Sequence, residues 1–512
     1  MVNKNMPNLK GEISAEEAHY ETRPWYRVPH LLRLNLTICS LFMWAGAMGY
    51  EGSLMNGLMS LQQWQTFMHF PSSTWLGFIN AISVLCGLLC YPAQAWVSDT
   101  YGRRPCLYIS IVLSVLGTAI QTAARNDTMF IIGRAFIGTT TAWGGAAGVL
   151  IAEIAYPTHR ARVTALFLCQ FYVGSIIAAW VTFGVRNMDS SWAWRLPSVM
   201  QLAIPFLALP GSLFTPESPR WLVSKGRVDE ARAVLVKHHG AGDASHPLVD
   251  FEMREIEVAV AMEKEAVDAT SYLDMIKTPG NRHRLFISLT IPFFGQWVGN
   301  GVVSYYLNLI LTTVGITSVT QQTLLNGFLN VWNLLLAVCA ALLIDKAGRR
   351  KLFLLSCSIM LVSYIIITAL SGSFASNQVK SVGTAAIPFL FVFFGGYCIG
   401  FSAVSVAYVV EIWPNIMRAR GVALCMAMTN AALTFNIFIN PIALDAIAWK
   451  YYLVFVAIII AAIFTVYFGY PETAGLSLDQ IRILFDGDED VVRDARVEEA
   501  KRETHTAHVE AA

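Results

Sequence analysis

Twelve apolar stretches constrain this chain more than any other feature of its sequence. They cover residues 34–59, 75–97, 106–123, 129–153, 164–184 and 196–214, then 285–313, 323–344, 352–370, 384–410, 421–441 and 451–470. A helix that crosses a bilayer needs about 20 mostly apolar residues. Inside hydrocarbon the backbone must satisfy its own hydrogen bonds, so such stretches become helices rather than loops. The sequence therefore predicts an all-α membrane protein with twelve transmembrane helices, split into two groups of six by the polar interval after residue 214. Composition agrees: 55% of the 512 residues are hydrophobic and 14% charged, where soluble domains carry roughly 25% charged residues.

The loops set the expected orientation. "YGRRP", "PTHRAR", "DKAGRRK" and "NIMRAR" follow spans 2, 4, 8 and 10 and carry ten Lys and Arg. The opposite loops carry five: Arg125, Arg186, Arg195, Lys380 and Lys450. The positive-inside rule then places both termini and the connection between spans 6 and 7 in the cytoplasm. Residues 1–32 are polar with no signal-peptide pattern, so span 1 is expected to stay and to act as its own insertion signal. The expected divisions are a tail at 1–32, a six-helix bundle at 33–214, a linker at 215–284, a second bundle at 285–470 and a tail at 471–512. In the linker, "VDEARAVLVKHHG" and "DFEMREIEVAVAMEKEA" have the spacing of short amphipathic helices. The net charge of +1 gives no reason to expect nucleic acid, and the nine cysteines form neither a disulfide framework nor a metal site. No cofactor is expected, no nucleophile–base set suggests an enzyme, and no phosphate-binding loop suggests an ATP-driven pump.

The two halves repeat. "DTYGRR" (Asp99, Arg103, Arg104) follows span 2, and "DKAGRR" (Asp345, Arg349, Arg350) follows span 8. "EIAYPTHRAR" (Glu153, Arg160, Arg162) closes span 4, and "EIWPNIMRAR" (Glu411, Arg418, Arg420) closes span 10. Arginines at one helix end can face the acidic end of a neighbour and form a cytoplasmic gate; the plainer alternative is that they are positive-inside anchors. Two similar halves with a gate on one face suggest alternating access to a site between them.

Glu51 and Arg134 are ionisable residues well inside spans, where charge is costly and marks function. Their estimated depths, roughly 10 and 9 Å from the same face at 1.5 Å per residue, match, so the two can pair. Paired, the carboxylate stays ionised; separated or desolvated, it takes a proton.

These motifs, with "PESPRW" (Glu217, Arg220) after span 6 and "PETAGLSLDQI" (Glu472) after span 12, resemble the sugar porters of the major facilitator superfamily over about residues 34–485. "FGQWVGNGVVSYY", "NAALTFNIFINPIAL" and the linker stretch are similar to the fungal lactose permease, cellodextrin and hexose transporter branch. The resemblance adds Glu217, Arg220 and Glu472 to the gate. It implies that Glu51, where proton-coupled members have Asp in a "GYD" motif, is the proton carrier and Arg134 its partner; a structural ion pair or a direct sugar contact are the other readings. It implies sugar contacts at Gln296, Asn300, Tyr305 and Tyr306 in span 7, Asn330 in span 8, Gln170 in span 5 and Asn430 in span 11, with Asn436 similarly placed. The family's paired glutamines are reduced to "GQ" here, and Gly301 stands where the family has Asn. For each amide a helix–helix hydrogen bond is the alternative.

The function so implied is proton-coupled import of a hexose or small disaccharide across the plasma membrane. The alternatives are a facilitative uniporter, a polyol or organic acid carrier, and a sugar sensor.

Overall fold

The computed structural model describes residues 20–21, 23–343 and 348–487, and every regular element among them is helical. Eleven runs are long and apolar enough to cross a membrane, and the last, Asn415–Gly469, holds two helices, Asn415–Ile447 and Tyr451–Gly469. The twelve membrane helices are therefore helix 1 (Pro29–Met59), 2 (Ser73–Tyr101), 3 (Arg103–Thr122), 4 (Asp127–Ile154), 5 (Pro157–Val185), 6 (Trp192–Phe214), 7 (Pro279–Thr313), 8 (Val319–Leu343), 9 (Arg349–Asn377), 10 (Lys380–Ile412), 11 (Asn415–Ile447) and 12 (Tyr451–Gly469). Several outrun the apolar stretches because a helix continues past the hydrocarbon while its backbone bonds still close.

The chain divides into two compact units whose borders cut through helices. The first unit comprises Met1–Glu51, Leu89–Gly174 and Ser198–Glu265. Its core is built around Trp44, Leu107, Ala147, Leu150, Ile151 and Phe167. Helices 1 and 5 touch backbone to backbone: a Cβ on Gly49 would lie 1.7 Å from the Phe171 carbonyl oxygen, and one on Gly174 would lie 1.8 Å from that of Gly46. Small residues of this kind drive helix contact in membranes, where apolar burial gives little advantage. The buried Trp44 indole donates to Ser212 Oγ at 3.1 Å.

The linker helices also belong to this unit. Pro219–Ser224, Val228–His238 and most of Pro247–Ala269 enclose Trp221, Leu222, Ala231, Leu235, Val249 and Met253. His239 ties them to the end of helix 4. Its ring nitrogens lie 2.5 Å from a Glu252 carboxylate oxygen and 3.1 Å from the Ile154 carbonyl, and the side chain is 2% exposed. Arg160 Nη2 reaches the other Glu252 oxygen at 3.4 Å.

The second unit comprises Gly52–Leu88, Ser175–Pro197 and Ala266–Ala512. It joins the end of helix 1, the start of helix 2 and the end of helix 5 to helices 7–12, over a core containing Ile287, Phe353, Tyr364, Tyr408, Trp413 and Phe455. Helix 7 is interrupted: Pro279–Trp297 and Asn300–Thr313 meet at Gly299, whose φ of +99° few other residues adopt. The Tyr364 hydroxyl donates to the Gly299 carbonyl at 2.9 Å and holds the break in place. Helix 10 carries a wide π turn over Cys398–Ser402.

Candidate functional site

Side-chain amides of the second unit form two hydrogen-bonded groups along Asn300–Thr313, the second part of helix 7, which is itself kinked at Tyr306. Asn56 of helix 1 donates to the Ser304 carbonyl at 3.2 Å and to Asn326 Oδ1 at 3.3 Å, and its own Oδ1 accepts from the Asn308 backbone at 3.4 Å. Asn330 of helix 8 donates to Ser53 Oγ at 3.4 Å and to Asn326 through two contacts, at 2.9 and 3.2 Å. From helix 11, Asn440 donates to Asn436 Oδ1 at 2.8 Å. A Cβ on Gly301 would lie only 2.0 Å from Asn436 Oδ1, so the helix 11 amide fills the space where a side chain at position 301 would begin.

The network is buried yet not saturated. Within the described residues, Asn300 Oδ1, Asn308 Oδ1, Asn326 Nδ2, Asn333 Oδ1 and Asn436 Nδ2 are buried without a hydrogen bond. A buried amide group left unmatched costs about 1–3 kcal/mol. Unused donors and acceptors on helices 7, 8 and 11 suit a ligand with many hydroxyl groups, since each hydroxyl both donates and accepts.

The expected sugar contacts fall into three groups. Asn330 is part of this network, Asn300 is buried on the same helix as Asn308, and Gln296 and Tyr305 are half-buried on helix 7. Tyr306 and Asn430 are spent on structure: the Tyr306 hydroxyl, fully buried, donates to the Ile437 carbonyl at 2.7 Å, and Asn430 donates to the Met426 carbonyl of its own helix at 2.8 Å. Gln170 belongs to the first unit, where its backbone carbonyl faces Gly46. Asn56, Asn308 and Asn326 are members that sequence reasoning missed; the i, i+4 spacing of Asn326 and Asn330 was a signal available to it.

Glu51 and Arg134 are both buried in the first unit, 7% and 3% exposed. Glu51 stands eight residues before the end of helix 1 and Arg134 seven after the start of helix 4, roughly 12 and 10 Å along their axes. Helix 4 is seated against helix 3, with Gly133 directly over Gln121.

The repeated charged motifs form two matching clusters, one in each unit. In the first, Arg103 Nε and Nη2 reach separate oxygens of Glu153 at 3.1 and 3.2 Å. Glu217 accepts from the backbone N–H groups of Arg103 and Arg104 at 3.0 and 3.2 Å. Those N–H groups open helix 3 and have no partner inside the helix, so an anion there is favoured twice, by hydrogen bonding and by the helix dipole. In the second cluster Arg349 Nε and Nη2 reach one oxygen of Glu411 at 3.2 and 3.0 Å, and Glu472 accepts from the Arg349 N–H at 2.7 Å. The glycine of each motif is explained by the same carboxylate. A Cβ would lie 2.4 Å from Glu217 Oε2 at Gly102 and 2.3 Å from Glu472 Oε2 at Gly348. Arg104 donates to the Leu213 carbonyl at the end of helix 6 and Arg350 to the Tyr467 carbonyl near the end of helix 12.

Other residues expected in a gate sit apart from these hubs. Arg160 binds Glu252 and the Ala155 carbonyl, and Arg220 binds Glu263 at 2.9 Å on the linker surface. Arg420 donates to Thr270 Oγ1 and lies over the Tyr272 ring. The Asp99 side chain is exposed, while its carbonyl accepts from the Trp221 indole at 3.0 Å. Arg162 is exposed, Arg418 is half-buried, and Asp345 lies outside the described residues.

Residues 37–485 match the family model described as "Sugar (and other) transporter". Among characterised proteins, the chain is 28% identical to the MFS glucose transporter mfs1 of Aspergillus flavus, over 90% of this chain and 91% of that protein. It is 26% identical to a high-affinity glucose transporter of Kluyveromyces lactis, over 93% and 89%. Its structure resembles that of the major facilitator proton:xylose symporter XylE bound to 6-bromo-6-deoxy-D-glucose, with a TM-score of 0.68 at 20% identity, covering 88% of this chain and 98% of the other.

Proposed function

This chain belongs to the sugar (and other) transporter family, and from that premise we propose that it imports a hexose or small disaccharide together with a proton. It is a sugar transporter of the major facilitator superfamily and not an enzyme; no covalent bond is made or broken. In our reading the halves at 33–214 and 285–470 rock about the amide network, with the linker and both termini in the cytoplasm and the chain in the plasma membrane. Glucose transporters among the relatives, and a proton:xylose symporter of the same fold, favour a monosaccharide cargo.

The observation that carries proton coupling is the burial of Glu51 in the same unit as Arg134, at comparable depth. A carboxylate inside a membrane helix is costly, and its two stable conditions are pairing with a cation and protonation. In the proposed cycle Glu51 takes a proton on the outer side, and its hold on Arg134 weakens. Sugar hydroxyls then occupy the open hydrogen-bonding positions of Asn300, Asn326 and the other unmatched amides. After the halves rock, the proton leaves to the inside and the pair re-forms.

The test is uptake of a labelled monosaccharide into cells without other sugar carriers, with and without a protonophore. We expect accumulation above the external concentration, abolished by the protonophore. Glu51→Gln should lose accumulation while keeping sugar exchange. Uphill accumulation that survives in Glu51→Gln would sink the coupling role; equilibration without accumulation in the natural chain would make this a uniporter.

A further inference from the structure

Outside the transport path, the first unit holds a groove of about 820 Å3 between the start of helix 1 and the linker helix Val228–His238. One wall is the helix 1 entry, with Pro29 and His30 in the first turn and Arg33 one turn on. The other is a single face of the linker helix, where Asp229, Arg232, Ala233, Val236 and Lys237 recur at helical spacing. Its floor is low because Ala241, Gly242 and Ala244 carry almost no side chain.

The charges on these walls do not cancel. Glu21 is taken up by Arg23, which reaches both its oxygens at 3.0 and 2.9 Å and pulls the carboxyl down to a pKa of about 2. Arg232 is tied to Asp250 at 2.5 Å and to the Ala244 carbonyl at 3.0 Å. Arg33 and Lys237 make no ion pair among the described residues, against the single carboxylate of Asp229. Two cations from two different elements thus face one space large enough for a small ligand, whose sites run to about 300–1,000 Å3.

Exposed apolar and aromatic side chains adjoin the groove. Leu36, one turn beyond Arg33 on the same side of helix 1, is 59% exposed. Just before the groove, Trp25 and Tyr26 are 41% and 57% exposed, packed edge to face in a short turn. Exposed Trp and Tyr flanking a membrane helix mark the headgroup level, and basic pockets at that level suit acidic headgroups.

We propose that this groove binds a phosphate monoester, with Arg33 and Lys237 as its two cationic contacts, and that the exposed face of helix 1 receives the acyl chains when the ester is a lipid headgroup. The chemistry is charge-assisted hydrogen bonding from two exposed cations to phosphate oxygens.

The test uses the full chain in a neutral detergent and reads ligand binding by native mass spectrometry. The probes are a short-chain phosphatidylinositol phosphate, its water-soluble inositol phosphate headgroup, and phosphatidylcholine of the same chain length. We expect the phosphorylated lipid to bind at least about tenfold more tightly than phosphatidylcholine, and the double variant Arg33→Gln, Lys237→Gln to lose most of that preference. Arg227→Gln removes a charge just before the same helix and outside the groove, and should keep the preference. If the lipid outcompetes its headgroup, the site is a lipid site. Equal affinity for the two assigns it to a soluble phosphate ester. Equal binding of the two lipids, or a preference unchanged in the double variant, overturns the proposal. Should the double variant not fold, the two single variants, each expected to lose part of the preference, decide it in the same way.

Discussion

The two charged clusters stand on the same plan and are fastened differently. At the head of helix 3, Arg103 grips both oxygens of Glu153, and Glu217 caps two successive backbone N–H groups. At the head of helix 9, Arg349 grips one oxygen of Glu411, and the other accepts from the Thr473 hydroxyl at 2.7 Å. The capping acid there, Glu472, also accepts from the N–H groups of Thr473 and Ala474, both at 3.1 Å. The first cluster holds its arginine by a fork, and the second divides the same task between an arginine and a threonine. The backbone differs as well: Gly102 has φ +104°, whereas Gly348 has φ −64°, which any residue accepts. Duplicated sequence has thus produced matching clusters with unequal contacts and unequal tolerance to change.

The sharpest way to break this comparison is Gly102→Ala beside Gly348→Ala. Both place a methyl group on a carboxylate, but only the first also forces an unfavourable backbone. We expect Gly102→Ala to destabilise by roughly 2–4 kcal/mol and Gly348→Ala by roughly half of that. Thermal unfolding of the detergent-solubilised variants, followed by tryptophan fluorescence, checks the order; equal losses would show that the backbone angle does not matter. Next in size is Arg→Lys. Lysine cannot form a fork, so Arg103→Lys should cost about 1–2 kcal/mol and Arg349→Lys less than about 1 kcal/mol.

Thr473→Val probes the other side of the division. It leaves one Glu411 oxygen without its donor and should cost about 1 kcal/mol. Combined with Arg349→Lys, the loss should exceed the sum of the two single losses, because both act on one carboxylate. The smallest effect concerns the linker. Half-burial and the neighbouring Lys237 and His239 charges push His238 down from 6.5 to about 4. Between these values the unfolded segment binds the proton and the folded one does not, so linker stability is full above about pH 6.5 and falls as pH drops toward 4. Hydrogen exchange in Val228–His238 should therefore quicken over that window relative to Leu478–Asp486, the tail helix tied to Arg284 by Asp486 at 2.7 and 2.8 Å.

Much of this architecture was legible in the sequence. Twelve apolar runs gave the twelve helices, because hydrocarbon leaves the backbone no other option, and the doubled "GRR" motifs marked both clusters. The partners of those motifs were harder to read. Glu217 and Glu472 look like members of a charge network, yet they cap helix N-termini, a role set by where the chain returns after helices 6 and 12. The amides show the same limit. Hydropathy fixes how long helix 8 is but not how it is rotated, so Asn326 was overlooked beside Asn330, and Tyr306 looked like a cavity residue when its hydroxyl is bound to helix 11. Gly301 gave no hint that Asn436 fills its place, because that contact spans 135 positions of sequence. The break at Gly299 was written in "VGNG", but two glycines near a helix centre are equally compatible with close packing.

The amide network has an electrical consequence. Carboxamides and hydroxyls carry no net charge, so turning such a lining from one face of the membrane to the other moves no charge through the membrane field. An ionised lining residue would change that, at about 2.3 kcal/mol for each elementary charge per 100 mV. In the proposed cycle, voltage then acts on this carrier through Glu51 and Arg134, whose charges cancel when both are ionised and leave one positive charge once Glu51 holds a proton. Under that scheme the loaded carrier feels the membrane potential and the empty one does not, so a negative interior speeds the inward half of the cycle and leaves the return unchanged.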